Sequence, residues 1–133
     1  MKISQDKIIL SGRSIGSGPA CHLASKNNPR CLILISPIKS VIGIAKKLCG
    51  KWADYLLEER FDNLKTANKI KCPTAILHGL QDMMVPSQDS IDLIMEGFIH
   101  TKAHLFLRKN MQHNKFDFET DLIRPMKYFF DFH

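Results

Sequence analysis

Short continuous apolar runs alternate along this chain with longer segments whose apolar residues recur at helical spacing. Four runs read as strands: Lys7 to Ser11, Cys31 to Ser36, Thr74 to His78 and Ala103 to Arg108. Ile91, Ile94, Met95 and Phe98 fall at i, i+3, i+4 and i+7 behind a Pro86-Ser87 start, which predicts a helix with one buried face. Ile38, Val41, Ile42, Ala45 and Leu48 repeat that spacing, with Gly50 as the stop. Phe118, Leu122, Met126, Phe129 and Phe130 form a third stripe, in which Pro125 predicts a kink or a restart. In the long connection from Pro37 to Pro73, Trp52, Tyr55, Leu56 and Leu57 are expected to add a helical layer. Buried strands alternating with amphipathic helices define an α/β protein with a parallel sheet covered on both faces. No repeat, low-complexity tract or linker divides the chain, so residues 1–133 are read as one domain.

Composition narrows the function classes. With 44% hydrophobic and 24% charged residues, the 133-residue chain sits in the ordinary globular range. Its longest apolar runs, such as CLILI, are too short to cross a bilayer, and Ile8 to Leu10 is too short for a secretory core. Cys21, Cys31, Cys49 and Cys72 form no C-x-x-C pair and lie in apolar segments, as reduced core thiols of a cytoplasmic protein would. The net charge of +6 is scattered, with one close cluster at Lys46, Lys47 and Lys51, and no aromatic-interleaved basic stripe marks a nucleic-acid partner. At most a loose contact with an acidic lipid surface is expected.

The most informative stretch is KIILSGRSIGSGPACHLAS, Lys7 to Ser25. No lysine follows Gly16 or Gly18 as a P-loop requires, and Cys21 stands where a dinucleotide fingerprint needs its third glycine. Zinc spacing of Cys and His is also absent, so no metal or organic cofactor is expected. Gly12-Arg13-Ser14-Ile15-Gly16 instead fits G-x-S-x-G between a strand-like and a helix-like segment. Such a turn lifts a serine hydroxyl above the sheet, its glycines permit close backbone approach, and the following helix points its N-terminus at developing negative charge. Pro19 suits an early helical turn. An ordinary strand-to-helix turn with a chance serine would read the same way in isolation.

A serine nucleophile needs a base and a group to orient that base. Asp82 lies just beyond the third strand, and His113 in the loop after the fourth, giving the chain order Ser, Asp, His. Asp82 taken alone also suits a turn or a helix cap. Asp89 and Asp92, inside the expected helix, are weaker candidates, as are His100 and His104 before or within the last strand. His78 reads as structural, and His22 and His133 carry no functional reading.

With these residues in place, DKIILSGRSIGSGPACHLAS, CPTAILHGLQDMMVP and the terminal His loop resemble the α/β-hydrolase-fold serine hydrolases over essentially the whole chain, from the nucleophile strand onward. Within that class, IILSGRSIGSGPA and LILISPIKS look most similar to the protein-depalmitoylase-like branch, whose members cleave a fatty acyl thioester on cysteine. The resemblance implies Ser14 as nucleophile, Asp82 as orienting acid, His113 as general base and the Ile15 N–H as one oxyanion donor, with Gly12, Arg13 and Gly16 shaping the elbow. It also implies an acylated protein or a small ester or thioester as substrate.

Two departures qualify the expectation. Many relatives place glycines before the catalytic His, where this chain has Asn110, Met111 and Gln112; Asn can adopt the left-handed conformation instead. The strands that precede the nucleophile strand in relatives are absent, and with them the second oxyanion donor. The expected architecture is thus a partial α/β-hydrolase fold of about four parallel strands, with the first strand an open edge suited to self-association. The same absence keeps a non-catalytic binding module or remnant as the alternative, because losing one such donor costs a protease about 100- to 1000-fold in turnover. A fragment of a longer hydrolase is the favoured account. No N-terminal cysteine cluster offers an acyl anchor, so a cytoplasmic pool, peripheral to membranes at most, is expected.

Overall fold

A computed structural model describes residues 3–50 and 61–133. The expected layer around Trp52, Tyr55, Leu56 and Leu57 lies outside the described residues. Four strands form one sheet in the order β1-β2-β3-β4: Ile9–Arg13, Cys31–Ile35, Thr74–Gly79 and Ala103–Arg108. All three pairings are parallel. The helices are α1 (Ser17–Lys26), α2 (Val41–Cys49), α3 (Asn63–Ala67), α4 (Ser87–Asp92) and α5 (Arg124–Asp131).

The alternation of the strand residues decides which face each joins. Leu32, Leu34 and Ile76 share one face with Ala20, Cys21 and Ala24 of α1, Ala67 of α3, and Leu93 and Phe98 beyond α4. Cys31 and Ala75 point the other way, onto Phe129 of α5. Leu77 packs on that side with Met111 and Leu122. Every residue of β3 is buried, as a central strand covered on both faces requires. β1 is different: Ile9, Ser11 and Arg13 are exposed, and among the described residues no helix covers them.

Three sequence expectations are adjusted. β1 begins at Ile9 rather than Lys7, because Gln5–Lys7 is taken up by a 3-10 turn and the pairing Arg13↔Ile35 extends the strand to the elbow. α4 runs into a π turn at Leu93–Gly97, closed by Phe98 N–H donating to Leu93 O at 2.8 Å. That widening rotates the buried face onto Ser90, Leu93, Gly97 and Phe98 and leaves Met95 70% exposed, against its expected place in the stripe. Pro125 marks a restart: a π turn at Phe118–Ile123 precedes α5, whose first turn accommodates a proline without an N–H. Phe118 is exposed, so the third stripe begins in effect at Leu122.

The register sets Arg13, Ile35, Leu77 and Phe106 side by side. Loops following all four strands therefore emerge along one edge of the sheet, the carboxyl edge at which open α/β sheets carry their sites.

Candidate active site

The β1 loop is a strained elbow. Arg13 ends the strand in extended backbone, Ser14 turns to φ 51, and a 3-10 turn at Ser14–Gly16 leads into α1. A left-handed serine costs of order 1–3 kcal/mol, so its surroundings must over-determine it. They do so through the Ser14 carbonyl, which accepts from Ser17 Oγ at 2.6 Å. Ser17 Oγ in turn accepts from Ile38 N–H at 3.2 Å and from buried Asn63 Nδ2 at 3.0 Å, while Asn63 Nδ2 also donates to Ile38 O at 2.8 Å. Gly12 is required sterically: a Cβ there would lie 2.5 Å from Gly16 O and 2.7 Å from Ala20 Cβ. Gly16, against the expectation drawn from the motif, has open space around its missing Cβ. The close approach in this elbow is made at one glycine only.

The β3 loop presents Asp82, buried, with a carboxylate whose acceptors are largely filled. Oδ1 accepts the N–H groups of Met84 and Val85, each at 2.9 Å. Oδ2 accepts from His113 Nδ1 at 2.7 Å. Burial alone would raise the Asp82 pKa, but the Val85 N–H, His113 and Ser36 outweigh it and hold the carboxyl below its ordinary range. Ser36 follows β2 at φ 44, fully buried, its hydroxyl near this carboxylate but short of a formed hydrogen bond.

The β4 loop brings His113 to Asp82. Because Oδ2 is an acceptor, Nδ1 carries the proton and Nε2 keeps a lone pair for an incoming proton. The two loops are laced together at Gly79, where a Cβ would sit 2.0 Å from Met111 O; Gln81 N–H donates to that same oxygen at 3.2 Å. From the elbow, Arg13 Nη2 donates to the His113 carbonyl and, at 2.7 Å, to Asn114 Oδ1. No hydrogen bond joins Ser14 Oγ to His113 among the described residues. Beside His113 lies a cleft of about 250 Å³ lined by Gln81, Met83, Met84, Gln112, Asn114 and Lys115. Met83 is 87% exposed at its rim.

The other sequence candidates have different work. Buried His78 donates from Nε2 to Val85 O at 3.0 Å and accepts at Nδ1 from Ser90 Oγ at 2.6 Å; burial lowers its pKa, so it is a neutral bracket for the Asp82 loop. Asp89 accepts from Lys39 N–H at 2.9 Å, and Asp92 pairs with Lys39 Nζ at 2.7 Å, which ties the β2 loop to α4. His104 packs against Phe106 and Phe129 and meets His133 at 3.2 Å, while His100 and His22 are exposed. The motif reading placed Arg13 only in the elbow and did not find Ser36, Ser17 or Asn63. Among the described residues, no cluster of His, Cys, Asp and Glu is arranged to hold a metal ion, and no helix is long and apolar enough to cross a membrane.

A parallel four-stranded sheet flanked by helices, with a left-handed serine after one strand and a carboxylate–imidazole pair from the loops after two others, has the architecture of a partial α/β-hydrolase fold: this chain is an α/β-hydrolase-fold protein. Acetyl xylan esterase 1 from Thermoanaerobacterium superposes with a TM-score of 0.72 at 17% identity, over 98% of this chain and 47% of that one. Pyrococcus horikoshii acylaminoacyl peptidase gives 0.66 at 17% identity, over 97% and 23%. In sequence, the chain is 30% identical over 91 residues to the Caenorhabditis elegans α/β-hydrolase domain-containing protein aho-3, covering 68% of this chain and 26% of the relative. It is 30% identical over 83 residues to mouse α/β-hydrolase domain-containing protein 17C, covering 62% and 25%. The chain thus spans about a quarter of the length of these relatives. No family model matches it.

Proposed function

We propose that this chain carries the site of a serine hydrolase acting on an ester or thioester, with an acyl-protein thioester as the favoured substrate. The observation that carries the reading is the buried 2.7 Å bond from His113 Nδ1 to Asp82 Oδ2, on a loop tied to the residue preceding Ser14. Ser14 Oγ attacks the acyl carbonyl carbon while its proton passes to His113 Nε2. The oxyanion forms beside the Ile15 N–H. Its collapse breaks the C–S or C–O bond, and His113 gives the proton to the departing thiolate or alkoxide. Water then repeats the sequence at the acyl-serine, releasing the carboxylic acid and restoring Ser14. Each step uses only side chains and backbone of the three loops, so the proposed reaction requires no metal or organic cofactor.

Methionines 83 and 84 at the cleft favour the acyl-chain assignment, since flexible, polarisable side chains adapt to an aliphatic ligand. The sequence resemblance to depalmitoylase-like hydrolases points the same way. The same proposal includes a cytoplasmic protein that touches membranes peripherally, does not bind nucleic acid, and self-associates through β1. The competing reading, a binding module derived from a hydrolase, draws on the absence of a Ser14–His113 hydrogen bond and of a cover over β1 among the described residues. A serine-directed fluorophosphonate separates the two, since labelling requires an activated hydroxyl. Labelling of the folded chain that is lost in Ser14→Ala supports the hydrolase; a folded chain that does not label supports the binding module.

A further inference from the structure

The contact that joins the elbow to the histidine loop spans 100 residues of sequence and is made by one side chain. Arg13 Nη2 carries two hydrogens, and both are used: one on the His113 carbonyl, one on Asn114 Oδ1 at 2.7 Å. The guanidinium also lies 5.8 Å from the Phe116 ring centroid, a cation–π distance that holds it against the same loop. Asp82 fixes the His113 ring through Nδ1, while Arg13 fixes the peptide group of the same residue. A loop with Asn110, Met111 and Gln112 ahead of the histidine is therefore held at both the imidazole and the backbone.

Ser14 is the next residue after Arg13 and is locked at φ 51 by its own carbonyl's bond to Ser17. Whatever fixes Arg13 to the His113 backbone consequently limits how far His113 can stand from Ser14. We propose that Arg13 is the positioning residue of this site, its guanidinium clamping the His113 loop to the nucleophile turn and so setting the Ser14–His113 separation. This assignment rests on the serine hydrolase reading. A planar fork that bonds two oxygens and lies against an aromatic ring is not replaced by lysine, whose ammonium is a compact, strongly hydrated point charge.

The test uses the full 133-residue chain and the variants Arg13→Met, Arg13→Lys and Ser14→Ala. Fluorophosphonate labelling is followed to saturation, so that the first-order inactivation constant separates from the probe's half-saturation concentration. A misplacement of about 1 Å costs on the order of 100-fold in rate. Arg13→Met should accordingly lower the inactivation constant by roughly 10- to 100-fold with half-saturation little changed, and Arg13→Lys should fall between. In parallel, the His113 Nδ1 proton is followed by NMR of ¹⁵N-histidine-labelled protein, which reads the Asp82 contact whether or not the chain labels. Loss or broadening of that resonance in Arg13→Met, at an unfolding midpoint near that of the unsubstituted chain, supports the clamp. Unchanged labelling and an unchanged resonance overturn it. If the unsubstituted chain fails to label, the hydrolase reading falls, and the resonance alone decides whether Arg13 positions His113.

Discussion

At Asp82, the chemistry follows from a count of hydrogen bonds. Two backbone N–H groups and the His113 ring donate to the carboxylate, and the Val85 N–H, His113 and Ser36 together outweigh the burial that would otherwise favour the neutral acid. The pKa is depressed in the folded state, so the stability it contributes is fully present above the unfolded value of about 3.8. That stability is lost as pH falls through the lower folded value. Asp82→Asn should therefore flatten the acid limb of a stability–pH curve measured by denaturant unfolding, and should lower fluorophosphonate labelling by roughly 10,000-fold at neutral pH. An acid limb unchanged in the variant would mean that Asp82 is not the group being titrated. Ser14, Asp82 and His113 were legible as candidates because a motif and a chain order announce them. Arg13's reach to His113 was not, since no local pattern encodes a contact over 100 residues. Neither was Ser36, whose left-handed, buried position depends on where β2 ends against β3.

Among the elements, the loops after β3 and β4 behave as one unit because Gly79 brings their backbones together. A methyl group there would lie 2.0 Å from Met111 O, closer than van der Waals contact allows, and backbone must give way. Gly79→Ala should cost about 3 kcal/mol in chemical denaturation, the upper part of the usual range for overpacking. It should also weaken the His113–Asp82 contact, seen as a change in the His113 Nδ1 proton. Gly16→Ala, with open space around the position, provides the control and should change stability much less. The sequence marked His78 as structural but could not show which backbone the neighbouring Gly79 approaches. The four strands were legible because each is a short apolar run, and α2 because Val41, Ile42, Ala45 and Leu48 keep helical spacing ahead of Gly50; that it starts only after Ile38, behind a Ser40 cap, needed the structure. The phase of α4 was not: the π turn at Leu93–Gly97 moves its buried face, and helical periodicity assumes a constant turn.

For the whole molecule, the contrast between the interior of the sheet and its β1 edge is decisive. β3 is sealed, whereas β1 pairs only with β2 among the described residues and leaves Ile9 46% exposed. An uncovered apolar strand at a sheet edge favours pairing with another chain. The proposed self-association should appear as a concentration-dependent increase in mass by analytical ultracentrifugation. Ile9→Lys should raise the dissociation constant by roughly tenfold or more, about 1.4 kcal/mol per decade. A chain that stays monomeric at every concentration would remove β1 as a self-association surface. That β1 stands at one end of the described sheet was expected from the sequence, in which it is the first of the four apolar runs. The exposure of Ile9 and Ser11 on the face opposite α1 needed the helix positions as well.

The central claim is that Ser14, His113 and Asp82 form one working unit, and peptide-resolved mass spectrometry after fluorophosphonate treatment tests it most directly. The account predicts an adduct on the peptide containing Ser14, absent in Ser14→Ala and strongly reduced in His113→Ala and Asp82→Asn, with all variants folded. A folded chain without that adduct, or labelling at Ser14 that survives loss of His113, would contradict it.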